Sequence, residues 1–206
     1  TRCSRDWSSD VCSSDLGDDY GRIIRLYDNN ASVARFVSTL RALAADQNVK
    51  AIDVIMSLHG SPGKLHFIEG GVRVNDLKSN LLTDRNPAEH ALVATLKRKL
   101  RLVYNLSCFG ATHNSAFVEM GFDTSIGSKG VNANAEVEFP SVLGAWQFGI
   151  AIDLALAPTN NPASIAVSDQ PLRTLGMMTG REMLQKVDSL KLILGNRHLT
   201  IRSDPQ

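Results

Sequence analysis

Two stretches decide the fold: Asp53-Val54-Ile55-Met56-Ser57-Leu58-His59-Gly60 and Leu102-Val103-Tyr104-Asn105-Leu106-Ser107-Cys108-Phe109-Gly110-Ala111. Each is a short apolar run that stops at a reactive side chain close to a glycine. Residues 51–58 and 101–106 read as strands buried on both faces, the kind found in parallel sheets. Between them Asn86-Pro87-Ala88-Glu89 starts a helix, with Asn as N-cap, Pro in the first turn and Glu at the third position. That helix ends at Lys97-Arg98-Lys99, where cations suit the negative helix end. Strands alternating with helical patterns predict an α/β fold with a mainly parallel central sheet. In such sheets ligands bind beyond the carboxyl ends of the strands. His59 and Cys108 stand just past two such ends and can face one crevice.

Outward from this unit the pattern continues. Residues 22–27 read as a strand ended by Asp28-Asn29-Asn30, and Val33, Phe36, Val37, Leu40, Leu43 and Ala44 form one helical stripe. Residues 65–68 and 72–74 flank Gly70-Gly71 as a small hairpin. A short helix is predicted over 112–120, a strand over 124–127 and a polar loop over 128–140. The apolar run 141–156 is too short for the ~20 residues of a bilayer span and reads as a buried helix. Residues 157–178, with Pro158, Pro162 and Pro171, read as a long connection, and Thr179 with Glu182 as a capping box. Residues 190–194 and 198–202 around Gly195-Asn196 suggest a terminal hairpin.

The chain has 206 residues, 43% of them apolar, which is one large domain with a substantial core. A net charge of +1 gives no electrostatic case for nucleic acid or an anionic membrane surface. Residues 6–16, Asp-Trp-Ser-Ser-Asp-Val-Cys-Ser-Ser-Asp-Leu, resemble letter for letter the translation of a common sequencing adapter. Segment 1–16 is therefore read as non-native and set aside from the fold. The expected division is a core over 17–157 completed by 158–206, with the natural N-terminus, and any signal peptide or first strand, missing. Without Cys3 and Cys12, Cys108 is the one cysteine, and no intrachain disulfide can form. Compartment is not legible: a free thiol suits a reducing cytosol, but secreted enzymes also carry unpaired catalytic cysteines. Oligomeric state is equally open.

Cys108 sits between a strand and a helix start, where a helix N-terminus favours thiolate over thiol. Its plain alternative is an inert core cysteine. His59 can deprotonate a thiol or protonate a leaving amine near neutral pH. Its alternative is a hydrogen-bonded loop histidine. His113 is a weaker candidate base, pointing elsewhere from the following helix, and Asn105 and Asp53 read as strand residues satisfying local hydrogen bonds. His66, His90 and His198 have no metal-ligand spacing. Gly127-Ser128-Lys129-Gly130 lacks the spacing of a phosphate loop.

Strand–His–Gly followed by strand–Ser–Cys–x–Gly resembles the signature of the caspase–gingipain–legumain superfamily, the clan CD cysteine peptidases. The resemblance covers roughly 22–156. It implies a caspase-like three-layer α/β sandwich, with Cys108 as nucleophile, His59 as general acid/base, and the amides of Gly60 and Cys108 as oxyanion donors. It implies a cysteine endopeptidase that acts on a peptide or protein substrate through an acyl-enzyme thioester. No cofactor is required, although some members depend on calcium. Ser107 departs from the alanine that many members carry before the cysteine.

By the same resemblance, Ile126 to Phe139 helps line the pocket for the residue before the cut, and Ser107 stands beside it. The candidates are Ser128, Lys129, Asn132, Asn134, Glu136 and Glu138. Glu136 and Glu138 would favour a basic substrate residue and Lys129 an acidic one; the plain alternative is a solvated loop. Trp146 either closes the pocket or belongs to the core. Two further functions remain open: an inactive interaction module of the same fold, and an unrelated α/β hydrolase or transferase using a single cysteine.

Overall fold

The computed structural model describes residues 19–205. The adapter-like segment 1–16, with Cys3 and Cys12, lies outside them. The first helix, α1 (Val33–Ala45), starts where Ser32 accepts from the Arg35 amide, and it buries Phe36, Leu40 and Ala44. Strand β1 (Ile52–Met56) follows, then three short strands: β2 (His59–Ser61), β3 (Lys64–Phe67) and β4 (Gly70–Arg73). Next come α2 (Val74–Leu81) and α3 (Pro87–Lys99), the latter capped by Asn86 with Pro87 in its first turn. Strand β5 (Leu100–Asn105) leads to a 3-10 turn, Gly110–His113, and to α4 (Asn114–Met120). Then follow β6 (Thr124–Ser128), α5 (Ala135–Gln147), α6 (Ile152–Leu156), α7 (Pro162–Thr179), α8 (Glu182–Gln185) and β7 (Lys191–Gly195).

The fold is mixed α/β with a mainly parallel central sheet in the order β1-β5-β6-β7. The β1/β5 and β5/β6 pairs are parallel, and β7 runs antiparallel to β6. All six residues of β5 are buried, as two-sided coverage demands. Val103 faces a core with Phe36, Leu96 and Phe117 from α1, α3 and α4. Leu102 and Tyr104 face a second core with Phe139, Trp146 and Ile152 from α5 and α6. Strands β2, β3 and β4 form a separate antiparallel sheet.

Several expectations from pattern alone are corrected. Residues 22–27 join no ladder among the described residues, although Leu26 packs on the first core. The hairpin about Gly70 is a three-stranded ribbon, and Val74 already begins α2. The loop expected over 128–140 gives way to α5 from Ala135, with Pro140 inside the helix. The single buried helix over 141–156 is two, parted at Gly149, whose φ of 77° favours glycine. The long connection over 157–178 is mostly α7, started by an Asn161 cap with Pro162 in the first turn. Pro162 there is a helix starter, and the interior Pro171 is carried by a helix that packs against α8. Thr179 ends α7 and gives its hydroxyl to the Leu175 carbonyl, so it caps nothing downstream. Residues 191–195 pair with β6 and not with 198–202. Among the described residues no helix is long and apolar enough to cross a membrane.

Candidate active site

Strands β1 and β5 are neighbours, and their pairing runs past their ends: the Leu106 amide donates to the Met56 carbonyl at 2.8 Å. From there β1 passes into β2, so His59 opens a strand of the small sheet and does not ride on a loop. His59 is exposed; Cys108 is half-buried and is the sole cysteine among the described residues. Gly60 brings the two segments together. A Cβ built on it would lie 2.3 Å from the Cys108 carbonyl oxygen and 2.7 Å from Ser107 Oγ, so no other residue fits. The amides of Leu106, Ser107, Phe109 and Gly110 all donate locally. The Cys108 amide has no acceptor among the described residues.

The Cys108 loop is held in an uncommon conformation. Phe109 adopts φ 57°, a strained choice for a bulky side chain. Its amide donates to Gly130 O at 2.7 Å, and the Ser128 hydroxyl lies 3.1 Å from Ser107 O and 3.0 Å from Gly130 O. Beneath the loop, Gly110 meets Gly127 of β6 backbone to backbone; a Cβ on Gly127 would stand 2.2 Å from the Gly110 carbonyl carbon.

Asn105 and His113 lie under the same loop, both fully buried. Asn105 Oδ1 accepts the Ser107 amide at 3.1 Å, which turns its Nδ2 toward His113 Nδ1 at 2.9 Å. Nδ1 therefore accepts, and Nε2 carries the proton that it donates to Ser61 O at 3.0 Å. Burial pushes the His113 pKa below its ordinary 6.5, and the Ser61 carbonyl offsets this only in part. With a depressed native pKa, the unfolded chain binds the extra proton first as pH falls below 6.5. Unfolding free energy is thus expected to fall as pH drops from that value toward the native pKa. Denaturant titrations from about pH 8 to about pH 5 check this; a profile that His113→Phe leaves unchanged would show the imidazole is not the cause.

Most of the residues expected to line a substrate pocket are internal in the structure. Ser107, Ser128, Asn134 and Glu138 are buried. The Asn132 amide is half-buried, donating to Leu106 O at 2.9 Å and accepting from Lys191 Nζ at 3.0 Å. Glu138 forms no acidic wall: it pairs with Lys191 Nζ at 3.1 Å and accepts from the Tyr104 hydroxyl. Lys191 also reaches Asn134 Oδ1 at 2.9 Å and Ser189 O at 3.0 Å. Burial pushes the Glu138 carboxyl up and the Lys191 ammonium down, and their mutual attraction opposes both. Only Lys129 and Glu136 remain exposed, with Lys129 3.6 Å from Asp188. Trp146 is core, donating to Tyr20 Oη at 3.0 Å.

Sequence reasoning missed Lys191, Ser189 and Asp169. Asp169 takes the Ser189 amide at 2.9 Å and hydroxyl at 2.6 Å, and Ser189 in turn accepts the Ala133 amide. A lone lysine opening the apolar run Lys191-Leu192-Ile193-Leu194 was the one available signal. Among the described residues no group of three or more His, Cys, Asp or Glu could hold a metal ion. A cleft of about 290 Å³ lies along α1, lined by Arg22, Arg25 and Arg35, and includes neither His59 nor Cys108.

Ser107 Oγ is buried with no hydrogen-bond partner among the described residues. Ser107→Ala removes an unsatisfied hydroxyl, so stability is expected to rise by roughly 1 kcal/mol in denaturant melts. A loss of stability would reveal a partner for that hydroxyl. No protein-family profile matches the chain, and no curated protein matches it.

Proposed function

We propose that the protein is a cysteine endopeptidase of the caspase–gingipain–legumain type, with a caspase-like arrangement of its α/β layers. The observation that carries this reading is the close approach of Gly60 to the Cys108 carbonyl oxygen and the Ser107 side chain, just past the ends of the adjacent strands β1 and β5. It puts the exposed His59 imidazole and the free Cys108 thiol on segments packed against each other. The short resemblance around His59 and Cys108 adds to it. In this mechanism His59 takes the Cys108 proton as sulfur bonds to the scissile carbonyl carbon. The amides of Gly60 and Cys108 receive the developing oxyanion, a contribution of several kcal/mol for such donors. Collapse breaks the C–N bond, and His59 gives its proton to the leaving amine. Water, deprotonated by His59, then attacks the thioester, releases the acid and returns the thiol.

The test is covalent labelling of residues 17–206 by peptidyl electrophiles, read by intact mass. The residue before the warhead is varied among Arg, Lys, Asp, Asn and apolar choices. Labelling at Cys108 that depends on both the peptide and His59 is expected. Labelling that is absent, or indifferent to sequence, would instead favour an inactive module of the same fold.

A further inference from the structure

We propose that Asn105 and His113 are positioning residues, a buried relay that sets the register of the Gly60 strand against the Cys108 loop. This rests on the peptidase reading above. His59 and Gly60 belong to the small sheet and Cys108 follows the central one, and no backbone ladder joins the two sheets. Leu65 and Phe67 anchor the small sheet in the first core, but apolar packing is non-directional and does not define register. Directional ties come from two side chains of the 3-10 turn after Cys108. His113 donates to Ser61 O, next to Gly60, and Thr112 Oγ1 accepts the Gly63 amide at 3.0 Å. Through Asn105 the first tie continues to the Ser107 amide, next to Cys108.

The relay therefore begins one residue from one oxyanion donor and ends one residue from the other. Both side chains are fully buried, so water does not stand in for a lost member. Misplacement of reacting groups by about 1 Å can cost about 100-fold in rate. The relay touches neither the thiol nor the imidazole of the dyad, so its loss should leave intrinsic thiol reactivity alone.

The experiment compares His113→Phe and His113→Gln with the wild-type chain. His113→Phe removes both bonds; His113→Gln keeps an amide donor and a carbonyl acceptor. Peptide hydrolysis gives kcat and KM, and iodoacetamide alkylation of Cys108 reports thiol reactivity without an oxyanion. Expected for His113→Phe is a kcat loss of about 100-fold, with KM and the alkylation rate within about threefold. His113→Gln should recover about tenfold of that loss. A folded His113→Phe with wild-type kcat, or a parallel fall in kcat and alkylation, overturns the proposal. If His113→Phe does not fold, His113→Gln is judged alone, and wild-type kcat in it overturns the proposal.

If the wild-type chain cleaves no peptide and takes no peptidyl label, the peptidase reading has failed on its own. The relay is then judged by amide hydrogen exchange. His113→Gln is expected to speed exchange several-fold at Ser107 and across residues 59–63, with the rest of the central sheet unchanged. Unchanged exchange at those amides overturns it.

Discussion

On the peptidase reading, Cys108→Ala and His59→Ala are each expected to lower peptide turnover by roughly 10⁴-fold or more, because the members of such a dyad act as a unit. Neither should disturb the fold. His59 is exposed, and Cys108 is half-buried with a small side chain, so unfolding free energy should stay within about 1 kcal/mol of wild type. Steady-state hydrolysis of the best peptide from the labelling panel, beside denaturant melts, separates the two effects. The double variant should be no slower than either single one. Wild-type cleavage by His59→Ala would remove the imidazole from the reaction and leave a single-cysteine hydrolase as the better description.

The largest loss of stability is expected from Asp53→Ala. Asp53 and Arg101 are a buried pair at opposite ends of two bonds: Nε to Oδ1 at 2.9 Å and Nη2 to Oδ2 at 2.6 Å. Asp53 also accepts from the Leu102 amide at 3.2 Å and the Tyr20 hydroxyl at 2.6 Å. Burial and the Asp53 charge push the Tyr20 phenol far above its usual range, so it stays a neutral donor. Arg101 donates further to the carbonyls of Ile201 and Ser203, and its guanidinium lies 5.7 Å from the Trp146 ring centre. The cluster ties β1, β5, α5 and both ends of the described chain together.

Removing the carboxylate strands a buried cation, and breaking a buried pair in this way costs about 3–5 kcal/mol. For a domain of this size that lowers Tm by roughly 6–20 °C. Asp53→Leu combined with Arg101→Met should recover part of the loss, since no charge is then left unpaired. A change below about 1 kcal/mol for Asp53→Ala would show that water reaches the guanidinium and replaces its partner.

The two sequences quoted first carried much of the architecture. Apolar runs near 52–56 and 100–105 became adjacent parallel strands, and Asn86-Pro87 capped the helix between them. The stripe from Val33 to Ala44 became α1. These signals are local: strand burial, capping and helical spacing are written in neighbouring residues. Pro162 and Pro171 misled because a proline reads alike as a helix start, a breaker or a tolerated interior residue. Which it is depends on what the helix packs against. The run 22–27 has strand composition, but a strand also needs a partner edge, and none pairs with it among the described residues.

The site divides along the same line. The residue types at 59, 60 and 108 could be singled out because each follows an apolar strand, and strand ends are where α/β sheets expose reactive groups. The roles assigned to Glu138, Asn132, Asn134 and Ser128 could not be judged that way. Their side chains turn inward to Lys191, Tyr104, Leu106 and Ser107, partners up to 59 residues distant. Likewise Asn105 and His113 look like ordinary strand and helix polar residues until Ser61 arrives from another sheet to complete their bonds. The sequence by itself determined the α/β alternation, the strand ends and the reactive residues on them, because those follow from short-range pattern. Only the tertiary structure decided which polar side chains are buried and whom they serve. Burying a polar group makes its hydrogen-bond partner obligatory, and that partner is supplied from far along the chain.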